Sequence, residues 1–357
     1  MPCAPSRRTV LAALGLAAVA VPLSACGIRL EDDAPRVPLI PTREPTPGEG
    51  VLLGLWLGAG DLARQAAELG GAAKALPARL ATLHEEQAEV LRSLLRSLGV
   101  PDRVVAEAQS VHQARTAAPT TAAAAATSNN TTTTGLPAPT PSSSSPPAER
   151  TSPAAPATPG GTPTGATPAS LGAAEAATLA ADSFAELARL GRDTVVTPAA
   201  ALAQRAAAAT LLGEPPLWPT PRSLVAPTLA ADALEASRAA TYGMEVVAAQ
   251  SQGSQRRLAT ATLATLRARA ATQEGLAGDS APPASLGYPL PFAVTGAGAA
   301  RRLAVHVLDG LRARQAAAVA QAAGDVTSLV ACLQWLAEAE VLCQRWGLEP
   351  EPFPGLR

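Results

Sequence analysis

Lysine is all but missing from this chain: of its 28 basic residues only Lys74 is one. The others are arginines, set against 29 acids for a formal net charge of −1. So even a balance offers no electrostatic footprint for nucleic acid, and no such partner is expected. Aromatics make up 3% of the 357 residues, and β-branched runs are nearly absent. That removes the usual strand signal and leaves leucine and abundant alanine to build a core, which predicts an all-α fold. Histidine is also scarce, occurring at His84, His112 and His306. Four cysteines are present: Cys3, Cys26, Cys332 and Cys343. The last two lie on one helical face but about 16 Å apart along its axis. A disulfide needs Cα atoms within about 7 Å, so both read as small core residues.

No hydrophobic run at the amino terminus is long enough to span a membrane. Val10–Val21 holds about a dozen apolar residues, short of the roughly 20 required, and Pro22 interrupts it. Its surroundings give it another meaning. Ser6-Arg7-Arg8-Thr9-Val10-Leu11 resembles a twin-arginine export signal, with Arg7 and Arg8 as its basic pair. Leu23-Ser24-Ala25-Cys26 fits the bacterial lipobox, in which small residues let a peptidase cut before an acylated cysteine. A diacylglyceryl group on Cys26 supplies the two chains that stable anchoring to membrane lipid requires. The expectation is a signal peptide over 1–25, a lipidated Cys26 with a proline-stiffened tether over 26–49, and a location on the outer face of the cell membrane. Without residues 1–25, the charge becomes −3 (26 cations against 29 acids).

The rest of the chain carries helical periodicity. The first set of expected helices covers about 50–73, 76–98, 170–190 and 197–212, forming an N-terminal bundle over 50–213. Ser170 is read as the cap of the third of these. Thr197-Pro198 is read as an N-cap followed by proline at the first helical position. A linker over 214–227 leads to a second set at 228–250, 253–274, 297–323 and 326–346, the bundle of residues 228–357. Leu329, Cys332, Leu336, Ala339, Cys343 and Trp346 recur at three- and four-residue steps and mark the last helix as core. The stretch 116–168 is almost entirely Ala, Thr, Ser, Pro, Asn and Gly. It cannot bury enough surface to offset chain entropy and is expected to be a disordered insert, either a solvated spacer or a target for O-glycosylation.

Two places gather polar side chains near apolar faces. His84 and Gln87 border the stripe of the second helix and are candidates for a polar pocket. Glu235, Arg238, Tyr242 and Glu245 fall on neighbouring turns and are candidates to line a ligand pocket. The simpler reading of each group is structural hydrogen bonding. Glu85, Glu89 and Arg92 read as a solvated, ion-paired face. Gly296-Ala297-Gly298-Ala299-Ala300-Arg301 half-matches a dinucleotide loop but lacks the third glycine and any strand before it. There is no Gly-x-Ser-x-Gly elbow and no zinc-type cluster, so no catalytic residue is assigned.

The stretches "CGIRLEDDAPRVPLIPT", "LHEEQAEVLRSLLRSLGVP" and "APPASLGYPLPFAVTGAGAARRLAVHVLDGL", with the terminal "FPG", carry a resemblance. Together they are similar to the ferritin-like domain of unknown function found in actinobacterial lipoproteins. The resemblance implies a C-terminal ferritin-like four-helix bundle and no catalytic residues. A ferritin-like di-iron site takes a Glu from each of two helices and Glu-x-x-His from two more. Three positions before the histidines stand Ala81, Gln109 and Leu303, so that ligand set is not met, and neither metal nor cofactor is expected.

The whole reads as two antiparallel helical bundles on a lipid anchor. It would act as a non-catalytic binding or scaffolding module of the cell envelope, toward an envelope protein or ligand not identified by the sequence. A small-molecule receptor with an intrabundle pocket, and a degenerate metal-binding enzyme, stay open as alternatives.

Overall fold

Alanine and leucine at helical spacing give helices throughout. The computed structural model describes residues 43–71, 75–117 and 166–356, and among them there is no strand. Ten α-helices follow in order: α1 (Glu49–Leu69), α2 (Leu76–Ser97), α3 (Asp102–Ala117), α4 (Pro168–Ala177), α5 (Ala181–Ala188), α6 (Arg192–Leu211), α7 (Pro227–Ala249), α8 (Gly253–Ala277), α9 (Ala297–Gln321) and α10 (Val326–Arg345). The signal-peptide and lipobox residues Arg7, Arg8, Leu23, Ser24, Ala25 and Cys26 lie outside the described residues. So does most of the expected insert. At its edges the structure corrects the boundary: Thr116 and Ala117 belong to α3, and Pro168 opens α4.

Three local departures from the sequence reading have physical reasons. Helix α3 was not expected, because Val105 is its one buried residue and its polar faces show almost no amphipathic period. It is held to α1 through His112 Nε2 and Asp61 Oδ2, 2.6 Å apart. The single helix expected over 170–190 is two, because Thr178 turns its hydroxyl back onto the Glu175 carbonyl at 2.7 Å and closes α4. The N-cap of α4 is Thr167, with Ser170 as the third residue of a reciprocal capping box. Helix α6 begins at Arg192 rather than Thr197, with Pro198 inside it. An interior proline costs about 3 kcal/mol in lost hydrogen bonding and clash. Here the surrounding contacts hold the helix together: every residue from Pro198 to Ala209 is buried. Alanine suits the close packing of such a rod, and its two large polar residues, Gln204 and Arg205, are buried with the rest.

Helices α7–α10 form a four-helix bundle whose directions are fixed by side-chain pairs. Arg238–Glu274 and Glu245–Arg267 set α7 antiparallel to α8. Thr262–Trp346 and Arg269–Glu338 set α8 antiparallel to α10. Arg312–Glu340 joins α9 to α10, again antiparallel. Helices α8 and α9 therefore run the same way, and Gln255 near the start of α8 reaches the carbonyl of Ala297 at the start of α9 (2.9 Å). The connection 278–296 must return the length of the bundle, about 37 Å for a 25-residue helix. It does so as an irregular strap, tied to α7 by Arg238 Nη1 to the Pro282 carbonyl (2.6 Å).

The core does not stop at residues 214–227. One cluster of buried apolar side chains takes in Leu52, Leu95, Leu202, Leu229 and Trp335, spanning both helical sets, and α6 packs on α10. Helix α10 is long and apolar enough to cross a membrane, yet 78% of its apolar window is buried within this core. Cys332 and Cys343 are both buried and unbridged.

Candidate functional site

Two groups of polar residues stand out from this apolar frame, and they differ in access. The first is enclosed. His84, Gln87, Glu175, Gln204 and Arg205 are all fully buried. Helix α2 presents His84 and Gln87 one turn apart, and His84 Nδ1 lies 3.1 Å from Gln87 Oε1. On the other side of the ring, His84 Nε2 meets Glu175 Oε1 of α4 at 2.6 Å. Gln87 Nε2 donates to Gln204 Oε1 (3.2 Å) and to the carbonyl of Pro352 (2.7 Å). Arg205 donates through Nη2 to the Leu55 carbonyl (2.8 Å) and through Nε to Gln87 Oε1 (3.4 Å). Burial pulls the Arg205 pKa down to about 10, with Glu175 opposing the shift. Five elements meet at this cluster: α1, α2, α4, α6 and the C-terminal tail. Its geometry is that of an internal strut.

The sequence reading found His84 and Gln87 and missed Glu175, Gln204 and Arg205. The signal was present in "AAALAQRAAAAT", where two large polar residues interrupt an alanine helix with no exposed face to receive them.

The second group lines an open cleft of about 610 Å³ between α7 and α9. Its origin is a change of side-chain size along α7. At Gly243 the two helices approach closely, since a Cβ there would lie 2.8 Å from Val307 Cγ1. Toward Asp232, the facing positions are Ala236, Ala239, Gly310 and Ala317, too small to fill the space between the axes. The strap 278–296 walls one end with Tyr288, whose ring centroid lies 5.9 Å from that of Tyr242. Burial, and then the charge of Glu235, raise the Tyr288 pKa, so its phenol stays protonated beside that carboxylate. Asp232 stands one turn before Glu235 on the same helix face. Opposite, α9 offers Arg314 and His306, the latter edge-on to Phe292 at 6.5 Å.

The four α7 residues singled out from the sequence divide between two surfaces. Glu235 and Tyr242 line the cleft. Three residues of helix advance about 300°, so Arg238 sits about 60° round from Glu235, on the side of α8. There it pairs with Glu274 (2.8 Å), and Glu245 likewise pairs with Arg267 (2.8 Å) on the outer surface. Asp232, one turn before Glu235, joins Glu235 and Tyr242 in the cleft, while Tyr288, His306 and Arg314 come from elements too far away in sequence to be linked by spacing.

A third polar cluster ties α9 to α10 and to the C-terminal tail. Arg312, almost fully buried, donates to Glu340 (2.9 Å), Asp309 (2.6 Å) and Glu351 (2.6 Å). Burial works against its charge, but the neighbouring carboxylates override that and raise its pKa. Among the described residues, no three His, Cys, Asp or Glu side chains are placed to hold a metal ion.

The family described as a domain of unknown function (DUF4439) matches residues 230–357, which cover nearly all of α7, the whole of α8–α10, and the tail. This part of the chain is therefore similar to an uncharacterised domain family. No curated protein and no solved structure matches the chain.

Proposed function

We propose that this protein is a lipid-anchored, extracytoplasmic, non-catalytic binding module whose ligand site is the cleft between α7 and α9. The observation that carries this reading is the cleft itself. Its volume of about 610 Å³ falls in the range of small-molecule sites, and it combines an apolar floor with a few convergent polar groups. The anchor rests on Arg7-Arg8 and on Leu23-Ser24-Ala25-Cys26. The bundle α7–α10 is read as ferritin-like because two antiparallel hairpins joined by one long crossover are the connectivity of that class. Eight of the twenty residues lining the cleft are alanine or glycine, which bring no reactive group, and this favours holding a ligand over transforming one.

Two measurements test the reading. The Cys26→Ser variant is expected to leave the membrane fraction for the soluble one. A broad thermal-shift screen of the full chain is expected to find a small molecule that raises Tm, an effect abolished by Ala239→Leu, which fills the cleft. Membrane retention by Cys26→Ser, or a ligand indifferent to Ala239→Leu, would contradict the respective half of the proposal.

A further inference from the structure

We infer that the α7/α9 cleft takes a small zwitterion lying across its width, ammonium toward α7 and carboxylate or other anion toward α9. This rests on the cleft being the binding site. The two walls carry opposite charge: Asp232 and Glu235 project from α7, and Arg314 from α9. Among the described residues, neither Asp232 nor Arg314 has an ion-pair partner, so each charge remains available to a ligand. Tyr242 and Tyr288 add two aromatic faces beside Glu235, and an alkylammonium group is attracted to such faces as well as to the carboxylate. On the other wall the Arg314 guanidinium suits a planar anion, which it can bind through two parallel hydrogen bonds.

Between Asp232 and Glu235 on one wall and Arg314 on the other, the lining includes Ala236, Ala239 and Gly310, so the ligand carries an apolar middle there between its two charged ends. Glycine, with both charges on one carbon, has no such middle.

The experiment titrates the full chain calorimetrically with glycine, 4-aminobutyrate and 6-aminohexanoate, and with hexylamine and hexanoate as singly charged controls. Affinity is expected to rise along the zwitterion series, with 6-aminohexanoate at least about tenfold tighter than either control. Arg314→Gln and Glu235→Gln are each expected to weaken 6-aminohexanoate about tenfold while leaving the Tm of the free protein in place. Hexylamine binding as tightly as 6-aminohexanoate, with no effect of Arg314→Gln, would overturn the zwitterion and leave a cation site in the same cleft. Binding of any probe that survives Ala239→Leu, or no binding by these probes or by any compound of the wider screen, would overturn the cleft as well.

Discussion

Gln87 Nε2 donates to the backbone carbonyl of Pro352 at 2.7 Å, closing a contact across 265 positions of sequence. The same side chain accepts from Arg205 and donates to Gln204. The tail it holds is pinned elsewhere too. Glu349 pairs with Arg79 (2.8 Å), and Glu351 takes both Arg312 and the Gly355 amide (2.9 Å). Gly355 has φ 74° and no room for a side chain, since a Cβ would stand 2.7 Å from that of Ala316. Residues 347–356 thus act as a clasp between α9–α10 and the buried polar strut. The two helical sets, separable on paper, are joined by polar as well as apolar contacts.

Replacing Gln87 with leucine keeps most of the volume and strands its partners. His84 Nδ1 and Gln204 Oε1 would then be buried without their present hydrogen bond, and the Pro352 carbonyl would lose its donor. Each such loss costs about 1–3 kcal/mol. Gln87→Leu is expected to lower the unfolding free energy by at least that much in urea denaturation. An unchanged midpoint would show that the strut contributes nothing.

The close approach of α7 and α9 makes a second prediction. Gly243→Ala places a methyl 2.8 Å from Val307 Cγ1, and a β-branched side chain has little freedom to move aside. Overpacking of this kind costs about 1–3 kcal/mol. Val307→Ala removes the obstructing atom, so the double variant is expected to recover part of the loss. A double-mutant cycle by thermal or urea unfolding checks it; strictly additive single effects would mean the helices simply shift apart.

Burial pushes the Cys332 thiol up to about 12 and raises that of Cys343 as well. In the unfolded chain a thiol titrates near about 8.5. Between those values the folded protein binds more protons, so stability from Cys332 is fully present below about pH 8.5 and is lost as pH rises toward 12. Arg205, lowered to about 10, and Arg269, lowered to about 9, act in the opposite sense, because a depressed base favours the fold at higher pH. The comparison must therefore be with Cys332→Ala, not with the parent at one pH. The stability gap between parent and variant is expected to narrow from pH 8 to pH 10.5. In the native protein at pH 8, iodoacetamide is expected to leave both thiols unmodified by peptide mass spectrometry, and to label them only on unfolding.

Much of the architecture was legible because its signals are local. Periodic leucines gave α1, α2 and α10, and all six residues read as the seam of α10 are buried. What escaped depends on partners distant in the chain. Helix α3 has no period to read because almost none of it faces a core; the contact of His112 with Asp61 holds it instead. Glu175 looks like any helical glutamate until α4 brings it to His84. The cleft needs α7, α9 and the strap together, so Glu235 and Tyr242 were visible as a pair while Arg314 and Tyr288 were not. Pro198 misled for the converse reason: proline at a helix start is the commoner local pattern, and only tertiary packing carries the helix back to Arg192.

That packing can be measured through α6 itself. Ala203 is fully buried in a helix enclosed on every side, and Ala114 is exposed on α3. Both are alanines in helices, with nearly the same intrinsic propensity cost for leucine, so propensity cannot separate them. Ala203→Leu must force three extra carbons between α6 and its neighbours, an overpacking cost of about 1–3 kcal/mol or more. Ala114→Leu meets only solvent and is expected to stay within about 0.5 kcal/mol of the parent. Urea unfolding of the two variants side by side gives the difference. Equal stabilities would mean that α6 is not the enclosed axis around which α1, α2, α4, α9 and α10 are arranged, and the shared core of the two helical sets would have to be abandoned with it.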